Sequence, residues 1–221
     1  MNKTAIILGA TGLSGSLLLK KLVDDDSYGT IKLFLRKPTG NKSPKIQEFI
    51  GDMLQLEDFK KDFMADEVFC CIGTTTAKTK DKALYRAIDM GIPAAAAKLC
   101  AQNNIPVFMV ISAIGANANS NIFYNRTKGE MEGAVLSQQI PTVYILRPSL
   151  IVGGRQENRV GESMAAWLMK ILNPFLFGRL KKYRSIKANT IASAMHRLAI
   201  TQLEVPTIIE SDRIARIAVG D

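Results

Sequence analysis

Tyr124 and Lys128 stand four residues apart in the stretch Tyr124-Asn125-Arg126-Thr127-Lys128, and Ser112 precedes Tyr124 by twelve residues. On a helix a spacing of four stacks two side chains on one face, so a phenol and an ammonium would point into the same crevice. A phenol with an ordinary pKa of about 10 is a poor proton donor at neutral pH, and a fixed ammonium beside it favours phenolate and lowers that value. Tyr124 is therefore a candidate general acid that Lys128 would tune. Ser112 follows the apolar run Val107–Ile111 and would hydrogen-bond a substrate oxygen, holding it against a hydride-donating carbon. Taken alone, Y-x-x-x-K is a frequent accident. Its meaning depends on whether the rest of the chain supplies a hydride donor.

The stretch T-A-I-I-L-G-A-T-G-L-S-G, beginning at Thr4, is where that donor would be held. A short apolar run breaks at Gly9 and passes through Gly12 and Gly15 into Leu17-Leu18-Leu19, the pattern of strand, glycine turn and helix. Gly9 lets the chain turn sharply, Gly12 lets the backbone approach a phosphate, and Gly15 lets helix pack on strand. Free N–H groups at the helix start, with the positive end of its dipole, would face the pyrophosphate of a dinucleotide. No Gly-Lys-Ser/Thr closes the loop, which disfavours a Walker-type site. A second strand over residues 30–35 ends at Arg36-Lys37-Pro38, about 20 residues past the third glycine, where an NAD enzyme carries an acid for the ribose 2′-hydroxyl. Arg36 and Lys37 would instead meet a 2′-phosphate, which predicts NADP(H) over NAD(H).

The remaining strands alternate with helices or long connections. Residues 45–50 form a weaker strand ending at Gly51-Asp52, from which the Asp52 carboxylate would reach an adenine amino group. A buried strand over 68–72 runs into Gly73-Thr74-Thr75-Thr76, small residues that would let backbone pass under a ribose while the hydroxyls donate. A helix over 81–102, kinked at Pro93, leads to Val107–Ile111. Residues 142–146 read as a sixth strand and 205–209 as a last one at the sheet edge, with Pro206 near its start. Ser211 would cap a short helix over 212–218. This is the rhythm of an α/β fold, a Rossmann-type doubly wound parallel sheet with helices on both faces and a small C-terminal substrate-side region.

Composition sets the broad class. The 221 residues carry no linker or internal repeat, so one domain spanning 1–221 is expected. No apolar run reaches membrane-spanning length, and the Met-Asn-Lys-Thr start leads straight into the first strand, so a cytoplasmic address is expected. Cys70, Cys71 and Cys100 lie in apolar patterns as small hydrophobes. With the single His196 in a helical pattern, they leave no metal site or disulfide framework to read. The formal charge of +9 shows no basic run interleaved with aromatics. It fits steering of an anionic cofactor rather than a specific nucleic acid. The expected partners are a small-molecule substrate, no membrane span, and a monomer or homodimer.

Together the G-A-T-G-L-S-G start, Ser112 and Tyr124-x-x-x-Lys128 resemble the short-chain dehydrogenase/reductase superfamily in its extended or atypical branch. More narrowly, L-G-A-T-G-L-S-G, C-I-G-T-T, Ser112-Ala113, the stretch from Tyr124 to Glu130 and L-R-P-S-L-I-V-G-G-R-Q-E-N-R resemble the Tat-interacting-protein-like oxidoreductases, over nearly the whole chain. The resemblance implies NADPH binding, with Gly9, Thr11, Gly12, Leu13 and Gly15 at the pyrophosphate, Arg36 at the 2′-phosphate and Asp52 near the adenine. It implies Ser112, Tyr124 and Lys128 as the catalytic group, with Lys128 also holding the nicotinamide ribose. Arg147-Pro148-Ser149-Leu150 resembles the loop that closes over the nicotinamide. The wider superfamily often completes its tetrad with an asparagine; here Asp89 lies near that place. The implied activity is hydride transfer to or from a carbonyl or alcohol. Because the narrow family includes regulatory members, the alternative is an NADPH-binding redox-responsive interaction protein with little turnover.

Two features beyond this core remain open. Arg155 and Arg159 flank Glu157 as an ion-pair network or as a grip on an anionic substrate. The apolar segment 164–177, from Met164 to Phe177, reads as core, with a substrate lid, a dimer face or a membrane-surface contact as alternatives.

Overall fold

In the computed structural model, which describes residues 2–153, 173, 176–201 and 204–221, the apolar run before the glycine turn forms strand β1 (Lys3–Leu8). Helix α1 (Leu13–Asp24) leaves the turn. There follow β2 (Tyr28–Leu35), β3 (Ile46–Ile50), a 3-10 segment (Met53–Phe59), β4 (Glu67–Cys70), α2 (Lys82–Arg86) and α3 (Ile92–Gln102). Next come β5 (Val107–Ile111), α4 (Phe123–Leu136), β6 (Thr142–Arg147) and β7 (Ile151–Val152). The described C-terminal part holds β8 (Ile186–Lys187), α5 (Ala188–Thr201), β9 (Ile208–Glu210) and α6 (Ser211–Val219).

Seven strands make one sheet in the order β3-β2-β1-β4-β5-β6-β9, with every neighbouring pair parallel. Its central strands are apolar along their length because helices cover both faces. Leu18, Leu22, Met195 and Ile214 fill one core, and Leu99, Phe108, Met131 and Val135 fill the other. The strand order reverses between β1 and β4, so connections leave these neighbours in opposite directions and a crevice opens at their carboxyl ends. The Rossmann-like α/β fold read from the sequence is the fold observed.

Several boundaries differ. β4 stops at Cys70, two residues short of the expected end. The last strand lies at the sheet edge as expected, but it spans Ile208–Glu210 and leaves Pro206 outside the ladder. Ser211 is not a cap: Glu210 holds the N-cap position, and the Ser211 hydroxyl hydrogen-bonds the Ser149 hydroxyl at 3.2 Å. The expected kink at Pro93 lies elsewhere. Pro93 falls in the first turn of α3, where a missing N–H costs little, and the distortion is a π-turn over Ala87–Gly91. That turn carries Asp89. The pairing of β7 with β8 in a separate two-stranded sheet left no expectation in the sequence.

Helix α4, which carries Tyr124 and Lys128, sits directly on the loop before it. A Cβ at Gly129 would lie 2.1 Å from the Ala118 amide nitrogen, whereas nothing lies within 4 Å of one at Gly133. Gly129→Ala should therefore cost about 1–3 kcal/mol through overpacking. Gly133→Ala, in the same helix but in open space, should gain about 0.5–1 kcal/mol from helix propensity. Urea unfolding of the two variants side by side checks both signs.

Candidate functional site

The glycine turn is shaped by contacts that exclude side chains. Gly9 has φ of +80°, and a Cβ there would meet the Cys71 carbonyl oxygen at 2.7 Å. A Cβ on Gly15 would lie 2.1 Å from the Gly9 carbonyl oxygen, so the first turn of α1 presses on the end of β1. Gly12 is the N-cap residue, no side chain caps the helix, and its first turn holds no acid. The amides of residues 13–15 are thus available to an anion, and Thr11 is exposed beside them. These residues fit a pyrophosphate.

Beyond the turn, a cleft of about 660 Å³ runs between α1 and the segment after β2, lined by Ala10, Thr11, Ser16, Lys20, Thr39 and Asn41 among others. Arg36 and Lys37 stand exposed where β2 ends. Asp52 is exposed after β3, and its Oδ1 accepts the Leu54 amide at 2.9 Å, which ties one oxygen to the 3-10 segment. These three residues belong to the side of the crevice served by β2 and β3.

The β4–β5 side is built differently, from buried charges in pairs. Lys128 Nζ lies 3.1 Å from Asp89 Oδ1, with the two side chains only 4% and 1% exposed. The same ammonium donates to the Ile111 carbonyl at 3.4 Å, while Asp89 Oδ2 accepts the Thr74 amide at 2.7 Å. Asp89 therefore joins the π-turn, α4 and the Gly73-Thr74 loop. Ser112 is buried at the end of β5, and its hydroxyl donates to Glu132 Oε1 at 2.5 Å. Arg147 grips that carboxylate with two hydrogen bonds, Nε to Oε1 at 2.9 Å and a terminal nitrogen to Oε2 at 2.5 Å. Pro148 is buried, and its carbonyl accepts the Ile114 amide at 2.9 Å.

Tyr124 and Lys128 share one face of α4, as their spacing predicts, but the electrostatic outcome differs from expectation. The Tyr124 phenol is held above its ordinary value. Burial raises it most, Lys128 pulls it down, and Asp89 pushes it up again. The pull of the ammonium exceeds the push of Asp89, but it does not overcome burial and Asp89 together. Arg147 is raised by its hydrogen bonds to Glu132, which outweigh burial. Burial pushes Cys70 to about 11 and raises Cys71 and Cys100 further, consistent with thiols that act as hydrophobes. His196 is engaged with Asp25 at 2.6 Å, at the far end of α1 from the glycine turn.

Sequence reasoning missed Glu132. Its signal was present, because it lies four residues past Lys128 and eight past Tyr124, on the same helical face. The guanidinium of Arg147 faces Glu132 and, at 3.9 Å, Glu210. Arg155, Arg159 and Glu157 lie outside the described residues, as does segment 164–177 except Asn173, Leu176 and Phe177. Asn173 hydrogen-bonds Ser185 through both its side-chain atoms, at 2.9 and 3.0 Å. Among the described residues there is no group of three or more histidine, cysteine or acidic side chains able to hold a metal, and no helix long and apolar enough to cross a membrane.

Comparison with known proteins agrees with the fold. A family model described as NAD(P)H-binding matches residues 9–151. The mitochondrial protein FMP52 of Eremothecium gossypii is 28% identical over 183 residues, covering 81% of each chain. The protein HTATIP2 of Rattus norvegicus is 30% identical, covering 74% of this chain and 69% of its own, so the Tat-interacting-protein-like resemblance holds. Among solved structures, a short-chain dehydrogenase/reductase superfamily protein of Agrobacterium tumefaciens with bound NAD superposes with a TM-score of 0.68 at 13% identity, covering 92% of this chain and 74% of its own. The expected cytoplasmic address does not stand, since FMP52 relatives from several yeasts are named as mitochondrial proteins. Compartment is set by signals that receptors read, and the composition of a folded domain does not encode it.

Removing Arg147 would leave the Glu132 carboxylate, 5% exposed, without its cation. Arg147→Ala should cost about 3 kcal/mol, and Arg147→Ala combined with Glu132→Met should recover most of that loss, because no unpaired charge then remains buried. Urea denaturation midpoints with unchanged slopes would check this.

Proposed function

The chain belongs to the NAD(P)H-binding family, and on that premise we propose that it is an NADPH-dependent oxidoreductase of the short-chain dehydrogenase/reductase type, working as one domain from 1 to 221. What supports the reading is that Lys128, on α4, reaches at 3.4 Å the Ile111 carbonyl at the end of β5, beside Ser112, and that Tyr124 shares its helical face by spacing. The amides after Gly12 would hold the pyrophosphate, Arg36 and Lys37 the 2′-phosphate, Asp52 the adenine, and Gly73, Thr74 and Lys128 the ribose next to the nicotinamide, under the Arg147-Pro148 loop. The cofactor supplies or accepts a hydride. Tyr124 gives or takes the proton at the substrate oxygen; its raised pKa keeps it protonated at neutral pH but makes it a weaker acid than an ordinary phenol, so the bound substrate and cofactor must help draw the proton off.

Ser112 bears on direction. Its single proton is committed to Glu132, so towards the crevice it offers lone pairs, which accept from an alcohol or from the Tyr124 hydroxyl. To donate to a carbonyl it must first release Glu132. The same engagement supports a second reading, an NADPH-binding redox-responsive interaction protein in which Ser112 and Lys128 serve as cofactor contacts with little turnover.

NADPH and NADH titrations followed by cofactor fluorescence test the cofactor assignment. NADPH should bind about 10-fold or more tightly than NADH, and Arg36→Ala should abolish that preference, since a charge-assisted contact to the 2′-phosphate is worth roughly 1.5–3 kcal/mol. With a carbonyl or alcohol substrate, Tyr124→Phe should keep cofactor affinity and lower turnover by roughly 10²–10⁴-fold. Full turnover in that variant would remove Tyr124 from the mechanism, and an absence of turnover in the parent protein with NADPH bound would favour the second reading.

A further inference from the structure

We propose that Asp89 sets which redox form of the nicotinamide the protein holds, its buried carboxylate cancelling the charge of Lys128 so that the cationic, oxidised ring is not repelled. This rests on the cofactor reading above. Asp89 and Lys128 lie between the ends of β4 and β5, on the side of the crevice away from Arg36. With the pyrophosphate on α1 and the adenosine towards β2 and β3, the nicotinamide must extend to this side. Gly73, three residues past the end of β4, puts no side chain beside the carboxylate, where a Cβ would lie 3.7 Å from Asp89 Oδ1.

The local charge is set by this pair. Among the described residues, the other ionisable groups whose shifts feel this pair are Tyr124 on α4, Tyr85 on α2 and Cys70 on β4. All three are shifted upwards, mainly by burial, and are neutral at pH 7. The next charges along α4 are matched as well, Glu130 by Arg86 and Glu132 by Arg147. The sum at the pair is therefore zero, in surroundings where salt screens little. The oxidised ring carries a positive charge that the reduced ring lacks, so the ratio of the two affinities reads this local sum. A neutral side chain at position 89 would leave the ammonium uncompensated.

The test measures dissociation constants for NADP⁺ and NADPH with the full chain. In the parent protein the two forms should bind within about threefold of each other, and a preference for NADPH of tenfold or more would overturn the proposal without needing any variant. Asp89→Asn should raise the NADP⁺/NADPH ratio of dissociation constants by about tenfold or more. Asp89→Glu, which keeps the charge, should leave the ratio within about twofold even if both forms bind more weakly. Asp89→Asn combined with Lys128→Met restores a sum of zero and should return the ratio to the parent value. A purely structural role for Asp89 weakens both forms equally, so an unchanged ratio in Asp89→Asn, or an equal shift in Asp89→Glu, sinks the idea while leaving the cofactor reading intact. If the parent protein binds neither form, the cofactor reading itself fails and this proposal with it.

Discussion

The close approach of α1 to the end of β1 is the constraint on which the rest of this structure depends. It exists because Gly15 lacks the Cβ that would strike the Gly9 carbonyl oxygen at 2.1 Å. Once the helix starts there, its uncapped amides and positive dipole end face the crevice where strand order reverses. The candidate site residues take their places relative to that point. Arg36 and Asp52 fall on one side because β2 and β3 do, and Gly73, Ser112 and Lys128 fall on the other because β4 and β5 lead there.

The two sides solve the problem of charge in opposite ways. On the β2–β3 side Arg36, Lys37 and Asp52 are exposed, where water pays most of the solvation of a charge and a phosphate can be met at little cost. On the β4–β5 side Lys128, Asp89 and Glu132 are almost fully buried, and a lone charge there would be costly. Each is therefore paired: Lys128 with Asp89, and Glu132 with Arg147. Ser112 is drawn into the second pair through its only proton, and Tyr124 is held as a phenol chiefly by burial, with Asp89 opposing the pull of Lys128. Proton positions at the site follow from which charges are buried together.

Much of this was readable in advance because it rests on local spacing. The glycine turn, the parallel alternation of strands, the placement of Ser112 at a strand end and the shared face of Tyr124 and Lys128 follow from turn chemistry and helical period. Errors came where local propensity was overruled. Ser211 is a good capping residue, yet its hydroxyl is engaged by Ser149, 62 positions away. Pro93 is a kink former, yet it sits in a first turn where its missing donor is harmless, and the irregularity moves to Asp89.

By itself, then, the amino-acid sequence determined the Rossmann-like sheet, the nicotinamide-type glycine turn and the identities of the groups that could do chemistry, since each is written in residues within one turn or one strand of each other. Only the tertiary structure decided who partners whom. Asp89, Lys128 and Thr74 meet across three elements, and Ser112, Glu132 and Arg147 across three more. Burial makes those partnerships obligatory, and no local pattern announces them, because desolvation penalises an unpaired charge wherever along the chain its partner comes from.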